Sequence, residues 1–330
     1  MTENTPSQEF LEYHEQIMRI PQEVHKWIVG ADNFIKLLII CLLSGSKRRY
    51  NSHVFAEEQV GVGKTTMMEA FARACGGNYS WIQFTPDLMP LDLIRVIKEL
   101  PDGSREYQKG PIHGNFIVAD EINRASEKTR AALLQGMEHG RITVDNDTHE
   151  LPRPFMVLAT ANPMDVEGVF RLGVAQNDRF MMKVRMEEET EEEALAIIDS
   201  HLRQEREEIR PAVTPEQILG AREFIWKNIY LSADLKQYLV RWVRHTRQLY
   251  NEEEKAHGAS GKRAYIWLAR GSKAVAFWEQ RDFVAQNDID FLVPLILEHR
   301  SSLGLLSTRA ELAEKMREMA EEMRHAEARR

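Results

Sequence analysis

The chain has 330 residues, enough for two domains each with a buried core. Acidic residues outnumber basic ones 51 to 43, a net charge of −8 that repels a polyphosphate backbone and makes nucleic acid a disfavoured partner. Two cysteines, Cys41 and Cys75, are too few for a disulfide framework or a four-thiolate zinc site, which fits a reducing cytoplasm.

The first residues, Met1 to Glu12, are polar and acidic rather than basic then apolar, so no signal peptide is read there. The longest apolar run, Leu37 to Leu43, is far short of a membrane span. From Ser52 to Val184 short β-rich runs alternate with helical patterns, which predicts a parallel sheet covered by helices on both faces. Its expected strands are His53–Ala56, Tyr79–Phe84, Asn115–Ala119, Phe155–Thr160 and Met181–Val184.

Between the first two strands runs Gly61-Val62-Gly63-Lys64-Thr65-Thr66, followed by a helical pattern. A P-loop needs that context. Glycines let successive N–H groups face phosphate oxygens, the helix N-terminus adds its dipole, Lys64 reaches the outer phosphates, and Thr65 can ligate Mg²⁺. The first glycine of the pattern is replaced by Glu58. A carboxylate facing ATP would cost roughly 4 kcal/mol per charge pair at ~4 Å and an effective dielectric of ~20, so Glu58 is expected to point outward.

The apolar run Phe116 to Ala119 ends in Asp120-Glu121, two carboxylates at the C-terminal end of a buried strand. Read as a Walker B pair, Asp120 holds Mg²⁺ through water and Glu121 orients and polarises the attacking water. The strand Phe155–Thr160 leads to Ala161-Asn162-Pro163, where Asn162 is a candidate for the same water or the γ-phosphate and, equally, a loop-capping residue. The eleven histidines show no ligand spacing, so no metal beyond Mg²⁺ is expected.

After Thr190 the pattern is helical only. Thr190 with Glu193 makes a capping box, Thr214 precedes Pro215 and Gln217, and Ser232 opens a helix carrying Leu235, Leu239 and Trp242. At the end, Leu312, Met316, Met319 and Met323 form a narrow seam among charges, read first as a helix packing on its own domain and, as the alternative, as a contact with a neighbouring subunit or partner.

From Ile28 to Arg300 the chain resembles the MoxR family of AAA+ ATPases. The resemblance rests on Ile28-Val29-Gly30, the P-loop, the run Phe84 to Pro90, Gly110-Pro111-Ile112, Ala119 to Ala125, Ala161-Asn162-Pro163, Asp178-Arg179-Phe180 and Gly258-Ala259-Ser260. It implies a P-loop AAA+ core, a five-stranded parallel sheet with helices on both faces, plus a C-terminal all-α lid. The implied division is an N-terminal helical segment (1–26), the core (27–189) with a helix-2 insert at about 85–114, the lid (190–306) and a charged amphipathic helix (307–330).

The resemblance further implies that Ile28, Val29 and Gly30 cradle adenine, that Asn162 senses the γ-phosphate, and that Arg179 is a finger offered to a neighbouring protomer's ATP. The lid arginine is Arg263, with Lys262 as the alternative. Two departures stand out: Val60 replaces the usual Pro, and Leu172-Gly173-Val174-Ala175-Gln176 replaces Leu-Pro-Glu-Ala-Gln. The implied activity is ATP hydrolysis by a hexameric ring that remodels a protein bearing a von Willebrand factor A domain, in complex maturation or metal loading. Alternatives are a nucleotide-gated scaffold with negligible turnover, suggested by Glu58, and a DNA motor, which the charge disfavours.

Overall fold

The computed structural model describes residues 7–47, 51–57, 64–99, 105–144, 147–161, 172–185, 189–202, 207–252 and 261–300. The expectations for Glu58, Gly61, Val62, Gly63, Asn162 and the helix at 307–330 lie outside these residues. The chain forms two compact units, one of residues 1–171 and 184–224, the other of 172–183 and 225–330.

In the first unit, α1 (Gln8–Val24) starts at Ser7, whose hydroxyl accepts the Phe10 N–H. Helix α2 (Asp32–Ser44) is apolar around nearly its whole circumference and buried along most of its length, the pattern of a helix inside a core. Next come β1 (Val54–Glu57), α3 (Lys64–Ala74) and β2 (Tyr79–Gln83). The short α4 (Pro90–Ile94) leads into an antiparallel hairpin, β3 (Arg95–Glu99) and β4 (Arg105–Lys109), within the expected insert. Strand β5 (Phe116–Asp120), α5 (Glu127–His139), a second hairpin of β6 (Arg141–Val144) and β7 (Asp147–Glu150), and β8 (Met156–Ala161) follow.

The main sheet has the order β2-β5-β8-β1-β9, where β9 is Met182–Val184. The register of its parallel pairs decides which side chains meet. Ala119 pairs with Ala159 and Ala56 with Thr160, so Asp120, one residue beyond Ala119, ends level with Thr160 and with the exit of β1. Gln83 pairs directly with Asp120 across β2 and β5. Strands β5 and β8 are buried on both faces, consistent with their unbroken apolar runs.

Helix α7 (Glu191–Leu202) opens with a capping box in which Thr190 and Glu193 exchange side-chain to backbone hydrogen bonds. The same reciprocal pair, Thr214 and Gln217, opens α8 (Pro215–Asn228).

The second unit holds α6 (Val174–Asn177), α9 (Ala233–Glu252), α10 (Lys262–Trp278) and α11 (Gln286–Leu297). Ser232 accepts the Leu235 N–H at the start of α9. Helices α10 and α11 pack through Gly271, where a β-carbon would come within 2.8 Å of Leu292. The all-helical C-terminal part and the parallel sheet agree with the expected fold class. Among the described residues no helix is long and apolar enough to cross a membrane.

Candidate functional site

In the first unit, three elements end at one place. The described part of helix α3 starts at Lys64. Thr65 and Thr66 follow it, half-buried. Strand β5 delivers Asp120, whose Oδ1 lies 3.4 Å from the Thr65 hydroxyl. Strand β8 delivers Thr160, which is 4% exposed and donates to the same Oδ1 at 2.5 Å.

Glu121 follows in the left-handed region, φ 53° and ψ 47°, a conformation that costs a non-glycine residue on the order of 1 kcal/mol. Its N–H is held by the Thr160 hydroxyl at 2.9 Å. Its carboxylate accepts a 2.6 Å hydrogen bond from Gln83 and lies 3.3 Å from the Arg124 guanidinium. The turn after the acids is closed by α5, capped by Ser126, and Thr129 donates to the Leu88 carbonyl, tying α5 to the segment before α4.

Hydroxyl and carboxylate oxygens converging within hydrogen-bond distance are the donor set of a hard cation, so Thr65 and Asp120 fit Mg²⁺. The backbone of Ile28, Val29 and Gly30 joins α1 to α2 in this unit, half-buried. Gly30 has φ +66°, and a β-carbon there would fall 1.9 Å from the Glu193 carboxylate, so both backbone and space require glycine.

Arg179 and Arg263 belong to the second unit. Arg263, in the first turn of α10, ion-pairs with Asp178 at 2.6 Å. On its other oxygen Asp178 pairs with Arg300 at 2.9 Å. Arg300 is 1% exposed and also donates to the carbonyls of Asp178, Phe180, Met181 and Ile296. Burial pushes its guanidinium down to about 10, against the pull of Asp178. That cluster clamps the chain on both sides of Arg179, whose own guanidinium donates to the Ala175 carbonyl. Lys262, the alternative to Arg263, is exposed at the first position of α10.

Sequence reading overlooked Thr160 and Gln83. Each is a polar residue near the carboxyl end of a strand adjoining β5.

Residues 53–182 match the profile of the ATPase family associated with various cellular activities (AAA), and residues 247–322 that of the AAA lid domain. Chaperone MoxR1 of Mycobacterium tuberculosis is 37% identical over 84% of this chain and 73% of its own length. The protein YeaC of Bacillus subtilis is 36% identical over 88% of both chains. A crystal structure of a candidate ATPase from Cytophaga hutchinsonii superposes with a TM-score of 0.81 at 32% identity, covering 93% of this chain and 95% of that one. With this acid-ended strand, this sheet order and these relatives, the chain belongs to the MoxR family of AAA+ ATPases.

Proposed function

We propose that the chain hydrolyses ATP to ADP and phosphate and uses the cycle, as a hexameric ring in the cytoplasm, to remodel a protein partner. The observation that carries the catalytic reading is the convergence of Thr65, Asp120, Glu121 and Thr160 beside the first turn of α3. Lys64 binds the outer phosphates, and Gly61, Val62, Gly63 and Thr66 complete the loop around them. Thr65 and Asp120 hold Mg²⁺, which when bound neutralises phosphate charge. Glu121 orients and polarises the attacking water, and to do so its carboxylate must turn from Gln83 and Arg124.

Asn162 reads the γ-phosphate. Ile28, Val29 and Gly30 seat adenine, and Arg263 belongs to the lid side of the nucleotide. Arg179 serves a neighbouring protomer, a role suited to a fixed cationic fork and one that makes hydrolysis depend on assembly. The functional divisions are those expected from the sequence: 1–26, 27–189 with the insert at 85–114, 190–306 and 307–330. The partner, by resemblance to the family, bears a von Willebrand factor A domain and is matured or loaded with metal in the process.

Glu121→Gln is the test: steady-state phosphate release should vanish while ATP affinity stays within about threefold, and undiminished release rejects the assignment. The hold of Gln83 and Arg124 on Glu121 favours a second reading, a nucleotide-gated scaffold with a parked carboxylate. Phosphate release measured over a range of protein concentrations separates the two, since a ring that needs Arg179 in trans speeds up on assembly and a scaffold stays silent.

A further inference from the structure

We propose that Thr160 is the positioning residue for the acidic pair, its hydroxyl setting both the Asp120 carboxylate and the Glu121 backbone for nucleotide hydrolysis; this rests on the ATPase reading above. A hydroxyl has one proton and two lone pairs, so Thr160 can donate to Asp120 and accept from the Glu121 N–H at the same time. The two bonds, 2.5 and 2.9 Å, have that donor–acceptor sense. They act on consecutive residues through one atom, which couples the orientation of the first carboxylate to the placement of the second.

Two physical needs are met at this atom. Glu121 sits at positive φ, and the fixed N–H offsets part of the cost of that conformation. Asp120 Oδ1 is the oxygen beside the Thr65 hydroxyl, and the Thr160 hydroxyl, bonded to that same atom, sets where it stands relative to a cation. The hydroxyl does this without bringing a compensating charge, so the carboxylate keeps its full attraction for a cation. Thr160 is 4% exposed and pairs with Ala56 of β1, at the end of a strand that lies between β5 and β1, so its side chain is set by the sheet rather than by solvent contacts. The register that pairs Ala56 with Thr160 and Ala119 with Ala159 makes this arrangement a property of the sheet.

Three full-length variants test it: Thr160→Val, which keeps the shape and removes the hydroxyl, Thr160→Ala, which removes both, and Thr160→Ser, which keeps the hydroxyl. Phosphate release, ATP affinity and the Mg²⁺ concentration needed for half-maximal nucleotide binding are measured on each, with thermal unfolding as the check on folding. Thr160→Val should lower kcat about 10- to 100-fold and raise the Mg²⁺ requirement by a similar factor, the range expected when a carboxylate's orienting partner is lost. ATP affinity at saturating Mg²⁺ should change less than about threefold, and Thr160→Ser should stay near the parent in every readout. Thr160→Ala serves if the valine variant fails to fold.

Parent-like turnover and Mg²⁺ dependence in Thr160→Val overturns the proposal, as does a serine variant as defective as valine, which would point to the methyl group's packing. If the parent itself releases no phosphate, the ATPase reading falls, and the Mg²⁺ dependence of nucleotide binding still decides Thr160: a shift in valine but not serine supports positioning, and no shift, or no Mg²⁺ dependence, rejects it.

Discussion

Asp120 and Asp178 are aspartates with opposite surroundings. Asp120, in the first unit, is met by the hydroxyls of Thr65 and Thr160, neutral groups that orient a carboxylate without cancelling its charge. Asp178, in the second unit, lies between two guanidinium groups, one of them fully buried, and its charge is spent within the protein. On the proposed reading, the carboxylate assigned to a cation is held by dipoles, while the one that holds a chain segment in place is held by ions. The difference distinguishes the two aspartates where sequence shows only the same residue type.

The comparison makes graded predictions. Asp178→Ala should have the largest effect on stability, roughly 3–5 kcal/mol, because Arg300 is left buried without its counter-ion. Urea unfolding would show it, and an unchanged midpoint would break the contrast.

Acid should then weaken both units in a similar way. His53 is buried, accepts the Val157 N–H, bonds to the Met137 carbonyl, and is pushed by burial down to about 3. His299, beside Arg300, is likewise held well below its ordinary value by burial and that cation. With folded values depressed, the unfolded chain binds more protons below about pH 6.5, so stability falls as pH drops through that point. The loss for His53 continues toward about pH 3. The slope is on the order of 1.4 kcal/mol per pH unit for each histidine. Urea titrations at pH 7, 5.5 and 4.5 measure it; a flat profile would contradict the neutral burial of both rings.

Smaller still, Arg263→Met should cost at most about 1 kcal/mol, since this partner of Asp178 is 34% exposed and solvent screens the pair. Thermal unfolding checks it, and a loss as large as that of Asp178→Ala would mean Arg263 rather than Arg300 anchors the cluster. The smallest change in stability belongs to Asp120→Asn, within about 0.5 kcal/mol, because the amide oxygen still accepts from Thr160. Yet phosphate release should drop by at least about 100-fold. A large destabilisation without loss of turnover would reverse the assignment of the two aspartates.

Much of the fold was legible because its signals are local. The five strands of the main sheet announced themselves as short β-rich runs, and the helix starts at Thr190, Thr214 and Ser232 as capping residues whose bonds the structure contains. The hairpins β3–β4 and β6–β7 were not foreseen: their return strands β4 and β7 are largely polar, and β3 and β6 offer only four or five residues of pattern. Asp120 and Glu121 stood out as acids ending an apolar strand. Thr160 and Gln83 did not, since their meaning depends on which strands lie beside β5.

Sequence alone determined the main-sheet strands, the capped helix starts, the P-loop pattern and the acidic pair, because propensity, periodicity and capping act over a few residues. Only tertiary structure decided that β8 lies between β5 and β1, which brings Thr160 to Asp120, and that Arg300 shares Asp178 with Arg263. Strand order and register join residues tens of positions apart, and the hydrogen bonds that result are set by backbone geometry that no neighbouring residue encodes.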